Sequence, residues 1–263
     1  MTNKIYTLLL FLVSYSVVHG QEEVPPIITD RPDMTESASS VSKGLLQSEL
    51  GGSWQRQTNA KITTTSLTHS NLLLRYGISI NTELRLGIAH KQRSFALDGE
   101  NSAVLNADQT GFVPLMAGLK TVIIKETPVI PQLAVLSHLY LNRVASRHFR
   151  GSGIHPELML AADKALSDKL SLGVNIGGVW DNPNPQISGF FSSVLGVDLN
   201  PKTGMFLEYY QSFHKDYESE PAIASGITWL ARPNLQLDAS GSYLLYGEKG
   251  YSLSIGISYR APK

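Results

Sequence analysis

The chain has 263 residues, of which 42% are hydrophobic and 17% are charged, with 22 Lys and Arg residues against 22 Asp and Glu residues. This balance disfavours a nucleic-acid-binding protein, which would carry a basic stripe, and we expect no nucleic-acid partner. The sequence contains no cysteine, which excludes thiolate catalysis and cysteine-ligated zinc or iron–sulfur sites.

The N-terminus has the pattern of an export signal. Lys4 precedes an apolar run over residues 5–18, and residues 18–20 allow cleavage before Gln21. The run is shorter than the roughly 18 residues that a membrane-spanning helix needs. We therefore predict a cleaved signal peptide over residues 1–20, with an N-terminal anchor as the alternative. No later apolar run reaches that length, so that entry into a membrane would require a closed barrel.

Residues 21–42 are rich in Pro and Ser without a sustained period, which predicts an extended segment in the periplasm. Their densest polar cluster is TDRPDMTE, residues 29–36. Two roles stay open for this cluster: a latch that reaches charged partners in the mouth of a barrel, or a solvated tail. The latch would use Asp30, Arg31, Asp33 and Glu36. A metal site built from its three carboxylates is disfavoured, because their spacing matches no ordered carboxylate loop.

From Lys43 onward, runs of about ten residues alternate in polarity between turn signals, as half-buried strands do. The last run, GYSLSIGISYR (250–260), places Tyr, Leu and Ile on one face and Ser and Gly on the other. Five more runs alternate clearly, near 46–55, 71–77, 83–91, 169–177 and 235–243. Less regular runs predict six further strands, near 112–124, 131–141, 156–165, 187–199, 204–213 and 222–231.

The run PELMLAADKAL (156–166) is ambiguous between helix and strand. Its Ala, Leu, Glu and Lys residues favour a helix, and Leu158, Ala162 and Leu166 are spaced by four. We predict a strand, because single-chain bacterial barrels have an even number of strands and this run brings the count to twelve.

The connections between these runs differ in length on alternate sides. Tight turns are predicted near 80–82, 125–129, 166–168, 200–203 and 231–234, whereas the connections over 93–110 and 142–155 are long and polar. Short turns on one rim and longer loops on the other are typical of an outer-membrane barrel with periplasmic turns. We therefore predict an all-β fold, an up-and-down antiparallel transmembrane β-barrel of about 12 strands over residues 43–263, in the bacterial outer membrane.

The apolar face of the strands is predicted to contact lipid. In the six clearest strands this face carries no charged residue, and a charge at the bilayer midplane would cost about 2–4 kcal/mol. In a soluble sandwich, the alternative, the apolar faces would meet each other. Aromatic residues stand near strand ends, as in the girdles at membrane interfaces: Trp54, Tyr76, Trp180, Tyr243, Tyr251 and Tyr259.

The polar faces carry Gly, Ser and charges of both signs, which suits a lumen. Two roles stay open for these charges: a constriction that orients a polar group of a solute, or a salt-bridge network that fills a narrow barrel. Mixed signs argue against strong ion selectivity, which would need a ring of one sign. The candidate lumen residues are Glu49, Arg75, Glu83, Arg85, Asp238 and Arg260, of which Arg75, Glu83 and Arg85 flank one hairpin and could pair across strands.

Four segments, in order, resemble an outer-membrane β-barrel family labelled as transporters of the meta-pathway of phenol degradation. They are PIITDRPDMTES (26–37), KGLLQSELGGSW (43–54), LLLRYGISINTELRLGI (72–88) and LQLDASGSY (235–243). The resemblance implies uptake of a small molecule, aromatic or hydrophobic. Members tend to end on Arg followed by an aromatic residue, a signal for the barrel assembly machinery. Here Tyr259 and Arg260 are followed by Ala-Pro-Lys.

The expected function is passive or facilitated passage of a small molecule, with outer-membrane lipid, the solute and the barrel assembly machinery as partners. One alternative is a non-transport barrel that presents the loops at 93–110 and 142–155 to a partner. Another is a lipid hydrolase at the rim, which is disfavoured because no G-x-S-x-G elbow and no zinc-helix His spacing occur. We expect no catalytic residue, no cofactor and no metal.

Overall fold

The structure, a computed structural model, describes residues 25–59, 62–97, 104–180, 186–214, 219–245 and 249–262. The predicted signal peptide, residues 1–20, lies outside the described residues, as do residues 21–24. None of the described residues belongs to a helix long and apolar enough to cross a membrane.

An irregular N-terminal segment precedes the strands, and one short 3-10 turn (Asn142–Val144) follows β6. The strands are β1 (Leu46–Asn59), β2 (Ile62–Gly77), β3 (Thr82–Leu97), β4 (Val104–Phe112), β5 (Leu115–Ile124), β6 (Gln132–Leu141), β7 (Ile154–Ala165), β8 (Leu170–Trp180), β9 (Ile187–Asn200), β10 (Thr203–Phe213), β11 (Glu220–Arg232), β12 (Leu235–Leu244) and β13 (Lys249–Arg260).

Antiparallel ladders join the strands into a closed barrel. β1 pairs with β2 on one side and with β13 on the other, so that the first and last strands meet. β3 pairs with β4 along its second half and with β5 along its first half. β4 and β5 therefore occupy one position, interrupted at residues 113–114, and the barrel has 12 strands with one extra segment. The predicted fold class is confirmed, and closure pairs the backbone groups that lipid could not satisfy.

Two predicted connections differ from the structure. The polar sequence over 93–110 predicts a long loop, but β3 continues to Leu97 and β4 begins at Val104, so this prediction is wrong. Likewise, β1 continues to Asn59 and β2 begins at Ile62, so both strands are longer than predicted. Near these ends polar residues occupy both faces, as Gln55 and Arg56 do on β1 and Gln92 and Arg93 on β3, so the alternation that marks a strand in a bilayer is absent there. The strand predicted over 156–166 against its helix propensity is confirmed by β7.

Alternate residues of each strand face the outside and the lumen. On β13, Leu253 and Ile255 are 59% and 69% exposed, whereas Ser258 on the other face is fully buried. Trp54 packs edge-on against Tyr251, with ring centroids 5.3 Å apart, toward the loop rim. Trp229 and Tyr259 lie exposed toward the rim with the tight turns. An apolar outer belt between aromatic ends is the surface that a bilayer would cover.

Candidate functional site

Residues 25–45, called the N-terminal segment below, lie inside the barrel. At one end the Ile27 N–H donates to the Pro233 carbonyl in the β11–β12 turn, at 2.8 Å. At the other end the Gly44 N–H donates to the Gly77 carbonyl at the end of β2, at 2.7 Å. Both ends therefore lie at the rim with the tight turns. The residues between them contact strands on opposite sides of the lumen.

The Asp30 carboxylate is bound by three buried cations from the wall. Arg85 Nη1 lies 2.6 Å from Oδ2, Lys120 Nζ lies 2.8 Å from Oδ1, and Arg75 Nη1 lies 3.2 Å from Oδ2. The backbone N–H of Asp30 also donates to Glu49, at 3.0 Å. Burial by itself would raise the pKa of Asp30, but the three cations outweigh it and hold that pKa well below its usual range.

The same cations bind carboxylates of the wall. Arg75 Nε donates to Glu83 Oε1 at 2.8 Å, and Arg75 Nη1 donates to Glu49 at 2.9 Å. Arg85 bridges Glu83, at 2.9 Å, and Glu36 of the N-terminal segment, at 2.6 Å. We call this set the charge cluster. It joins three cations with four carboxylates: Arg75, Arg85, Lys120, Asp30, Glu36, Glu49 and Glu83.

Across the lumen, carboxylates of the wall bind the backbone of the segment. Glu208 on β10 accepts from the N–H groups of Met34 and Thr35, at 2.9 and 2.7 Å, and from the Thr35 hydroxyl, at 2.7 Å. Asp163 on β7 accepts from the Ala38 N–H at 2.7 Å. Here N–H and O–H donors, rather than cations, stabilise the carboxylates. Ala38 itself packs in a small apolar cluster with wall residues Ala134, Leu136, Met159 and Ala161.

Arg31 fixes the segment to the wall formed by β12 and β13. Its Nη2 donates to Asp238 Oδ1 and to the Ile255 carbonyl, each at 3.0 Å, and to Ser254 Oγ at 3.1 Å. The guanidinium lies directly on Gly51 and Gly256, where any Cβ would overlap it. Glycines at these wall positions therefore provide the room in which Arg31 lies.

Asp33, one residue beyond Pro32, faces other carboxylates. Burial and the nearby charges of Glu208, Asp30 and Asp163 raise the pKa of Asp33 well above its ordinary value of 3.8. The two aspartates of the predicted latch cluster therefore have opposite electrostatic surroundings. Asp30 is bound by cations, whereas Asp33 is repelled by its neighbours.

The structure buries all six lumen residues that the sequence predicts, and each contacts the N-terminal segment. Glu83 accepts from the Val41 N–H at 2.6 Å, and Arg260 donates to the carbonyls of Pro25 and Pro26. The other contacts are those described above for Glu49, Arg75, Arg85 and Asp238. Of the four predicted latch residues, Asp30, Arg31 and Glu36 form ion pairs with the wall. Contact of any of these residues with a solute stays a prediction.

Sequence reasoning missed three wall residues that bind the segment. Lys120, Asp163 and Glu208 are isolated charges, or in the case of Asp163 one of two adjacent charges, in runs that otherwise appear apolar or helical: LMAGLKTVII, LMLAADKA and MFLEYYQ. A signal exists for Lys120, since it shares the alternate positions of β5 with Gly118, and a glycine and a charge on one face indicate a lumen. Within the described ranges, no group of three or more His, Asp or Glu side chains is arranged to hold a metal ion.

A cavity of about 500 Å³ lies beside the segment at the rim with the tight turns. Ile27 of the segment forms one wall, and residues of the β7–β8 and β9–β10 turns form the other. Charged and amide side chains line it, among them Lys169, Asp198, Lys202 and Gln236. The segment therefore does not fill the lumen evenly at this rim.

A family model described as "Putative MetA-pathway of phenol degradation" matches residues 29–261. Among solved structures, an outer membrane channel from Pseudomonas putida F1 is similar at 12% identity and a TM-score of 0.68, over 85% of this chain and 98% of that chain. The translocator domain of autotransporter NalP from Neisseria meningitidis has 13% identity and a TM-score of 0.55, over 83% and 89%. The NanC porin has 10% identity and a TM-score of 0.52, over 81% and 98%. At these identities the likeness concerns the fold alone. No curated protein matches the chain.

Proposed function

Since this chain belongs to the MetA-pathway family of phenol degradation that matches residues 29–261, we propose that it is an outer-membrane channel for a small molecule. The solute passes by passive or facilitated diffusion, without an energy cofactor and without a catalytic step. The family description supports an aromatic or hydrophobic solute. An export signal over residues 1–20, cleaved before Gln21, belongs to the same proposal.

The observation that carries this proposal is the way in which the lumen is filled. A barrel that serves only as a scaffold can fill its lumen with side chains of its own wall. Here small wall residues face the segment: a Cβ on Gly77 would overlap the backbone of Val41 and Ser42, and a Cβ on Gly173 would lie 3.3 Å from Thr35. The wall therefore leaves room for the segment at these positions, and residues 25–45, which lead into β1, occupy it.

The contacts of the segment are of a kind that can be exchanged. Ion pairs and hydrogen bonds to Asp30, Arg31, Thr35 and Ala38 hold it, and the described part of the segment adds no strand to the barrel ladder. Water or a solute can replace these partners one contact at a time, because a hydrogen bond to a charged group contributes only about 1.5–3 kcal/mol net. We propose that the segment is a latch, that channel opening is its release, and that the predicted lumen residues face the solute only then.

The surface-presenting scaffold is the competing function, because a filled lumen also suits a sealed barrel. Reconstitution of the full chain in planar bilayers, with liposome swelling in parallel, distinguishes the two. The channel proposal predicts stepwise conductance and swelling in the presence of small aromatic solutes, with none from a heat-unfolded sample. A lumen that stays sealed in the wild type and in every variant that weakens the segment would support the scaffold instead.

A further inference from the structure

The charge cluster contains an anion that belongs to the segment and not to the wall. The Asp30 carboxylate accepts from Arg85 and Lys120 through charge-assisted hydrogen bonds of 2.6 to 2.9 Å. All of these side chains are at most 2% exposed. Three cations from three different strands, β2, β3 and β5, converge on this one carboxylate.

Removal of the segment changes the charge of the cluster. The wall supplies three cations, Arg75, Arg85 and Lys120, and two carboxylates, Glu49 and Glu83, which gives 3 − 2 = +1. The segment adds Asp30 and Glu36, so the docked cluster carries 3 − 4 = −1. Release of the segment therefore leaves an excess of one positive charge on the wall, and this excess attracts an anion to the position that Asp30 leaves.

From this geometry we infer that the charge cluster is a binding site for a small monocarboxylate solute, and that Asp30 is a built-in competitor for it. The inference rests on the proposed channel function and names the solute class for the same lumen. A carboxylate presents the same two oxygens as Asp30: one can accept from Arg75 Nη1 and Arg85 Nη1, and the other from Lys120 Nζ. A neutral analogue of equal size leaves the net charge of +1 on the wall uncompensated.

The wall also limits which anion fits. Glu49 and Glu83 lie within 3 Å of the Arg75 guanidinium, and their charges would repel a second negative group on the solute. The site therefore favours solutes with one negative charge over solutes with two. Selection against dianions follows from the same residues that neutralise two of the three cations.

Direct binding to the full-length chain in detergent tests this inference. Benzoate is the probe, benzamide is the neutral control of equal shape, and phthalate is the dianion. Because Asp30 competes with the probe, Asp30→Asn should bind benzoate about tenfold more tightly than the wild type, since the competent state is no longer hidden by the docked segment. Benzamide and phthalate should bind weakly to both proteins.

Lys120→Met removes one of the three cations. Combined with Asp30→Asn, it should abolish the gain in benzoate affinity. Lys169→Met, at the cavity near the turn rim and outside the cluster, is the matched control and should leave benzoate binding unchanged. Heat-modified mobility in electrophoresis checks that each barrel is folded.

Equal benzoate affinity in the wild type and in folded Asp30→Asn would overturn the inference, as would benzamide binding as tightly as benzoate. Conductance in planar bilayers, measured in parallel, separates this failure from failure of the channel proposal. If the protein conducts but does not bind benzoate, the channel proposal stands and the inferred solute class is wrong. If it binds benzoate but shows no flux, the binding site stands and the channel proposal is wrong.

Discussion

The N-terminal segment is held by two sides of the lumen that differ in chemistry. On the side of β2, β3 and β5, wall cations bind a carboxylate of the segment at Asp30. On the side of β7 and β10, wall carboxylates at Asp163 and Glu208 bind backbone N–H groups of the segment. The first side can be released by a competing anion, whereas the second can be released only when water replaces the carboxylate acceptors. Release of the latch therefore depends on more than one condition in its surroundings.

The cation side should make the larger contribution, and Asp30→Asn tests it. Loss of one partner of a buried ion pair costs about 3–5 kcal/mol, because the remaining charges are left uncompensated. We expect Asp30→Asn to release the segment and to raise the mean conductance in planar bilayers strongly. Asp33→Asn is the matched comparison: because Asp33 is repelled by its neighbours, neutralising it should strengthen docking and lower the conductance. Equal conductance in both variants would contradict the assignment of Asp30 as the main anchor.

The carboxylate side is tested by Glu208→Ala, with a smaller expected effect. The variant loses acceptors for two backbone N–H groups and one hydroxyl. Loss of hydrogen bonds to one charged group costs about 1.5–3 kcal/mol. We expect a higher open probability in single-channel recordings, with a barrel that still resists heat in electrophoresis. Glu126→Ala is the control, because Glu126 lies exposed in a turn against Lys164. If single-channel recordings of Glu126→Ala match those of Glu208→Ala, the assignment of Glu208 as a second anchor is wrong.

The pH dependence follows from the two aspartates. In the docked state the pKa of Asp33 is raised above 3.8 by burial and by Glu208, so the docked segment binds a proton more readily than the released one. Docking should therefore strengthen as pH falls through the raised pKa toward 3.8, and conductance should decrease. The lowered pKa of Asp30 acts in the opposite sense, but only below its ordinary value of 3.8. Asp33→Asn should flatten the profile, and a profile identical to that of the wild type would exclude Asp33 as its source.

The smallest effect is expected where the segment lies on glycine. A Cβ on Gly51 would displace the Arg31 guanidinium, but that side chain is flexible and can move, so Gly51→Ala should weaken docking by only about 0.5–1 kcal/mol. Gly52→Ala is the neighbouring control, since its Cβ would lie 3.4 Å or more from any atom. Single-channel open probability should rise slightly for the first variant only. A larger rise for Gly52→Ala would show that strand distortion, and not Arg31, is responsible.

The alternation of polarity suffices to predict the lumen residues of the clearest strands, because the pleat sends successive side chains to opposite faces. Glu49, Arg75, Glu83, Asp238 and Arg260 all follow from it. The extension of β3 to Leu97 could not be predicted in this way, because polar residues occupy both faces near this end and the alternation is absent there.

The wall residues that contact the N-terminal segment could not be predicted from local sequence patterns, for a different reason. Asp30 meets Lys120 across 90 positions of sequence, and Thr35 meets Glu208 across 173. Closure of the barrel and the order of its strands bring these residues together, and the polarity pattern of a single strand predicts neither. Met34 and Ala38 bind the wall carboxylates through backbone N–H groups, which carry no side-chain signal.

The central claim is that release of the N-terminal segment opens the lumen, and a disulfide between segment and wall tests it most directly. Thr35 Oγ1 and Ser192 Oγ lie 2.9 Å apart, and the chain has no cysteine of its own. Thr35→Cys with Ser192→Cys should therefore lock the segment when oxidised. Ser242→Cys with Ser252→Cys, whose hydroxyls lie 2.7 Å apart within the wall, is the control. We predict that oxidation closes the first channel in planar bilayers, that reduction reopens it, and that the control conducts in both states. Undiminished conductance through the locked protein would contradict the account.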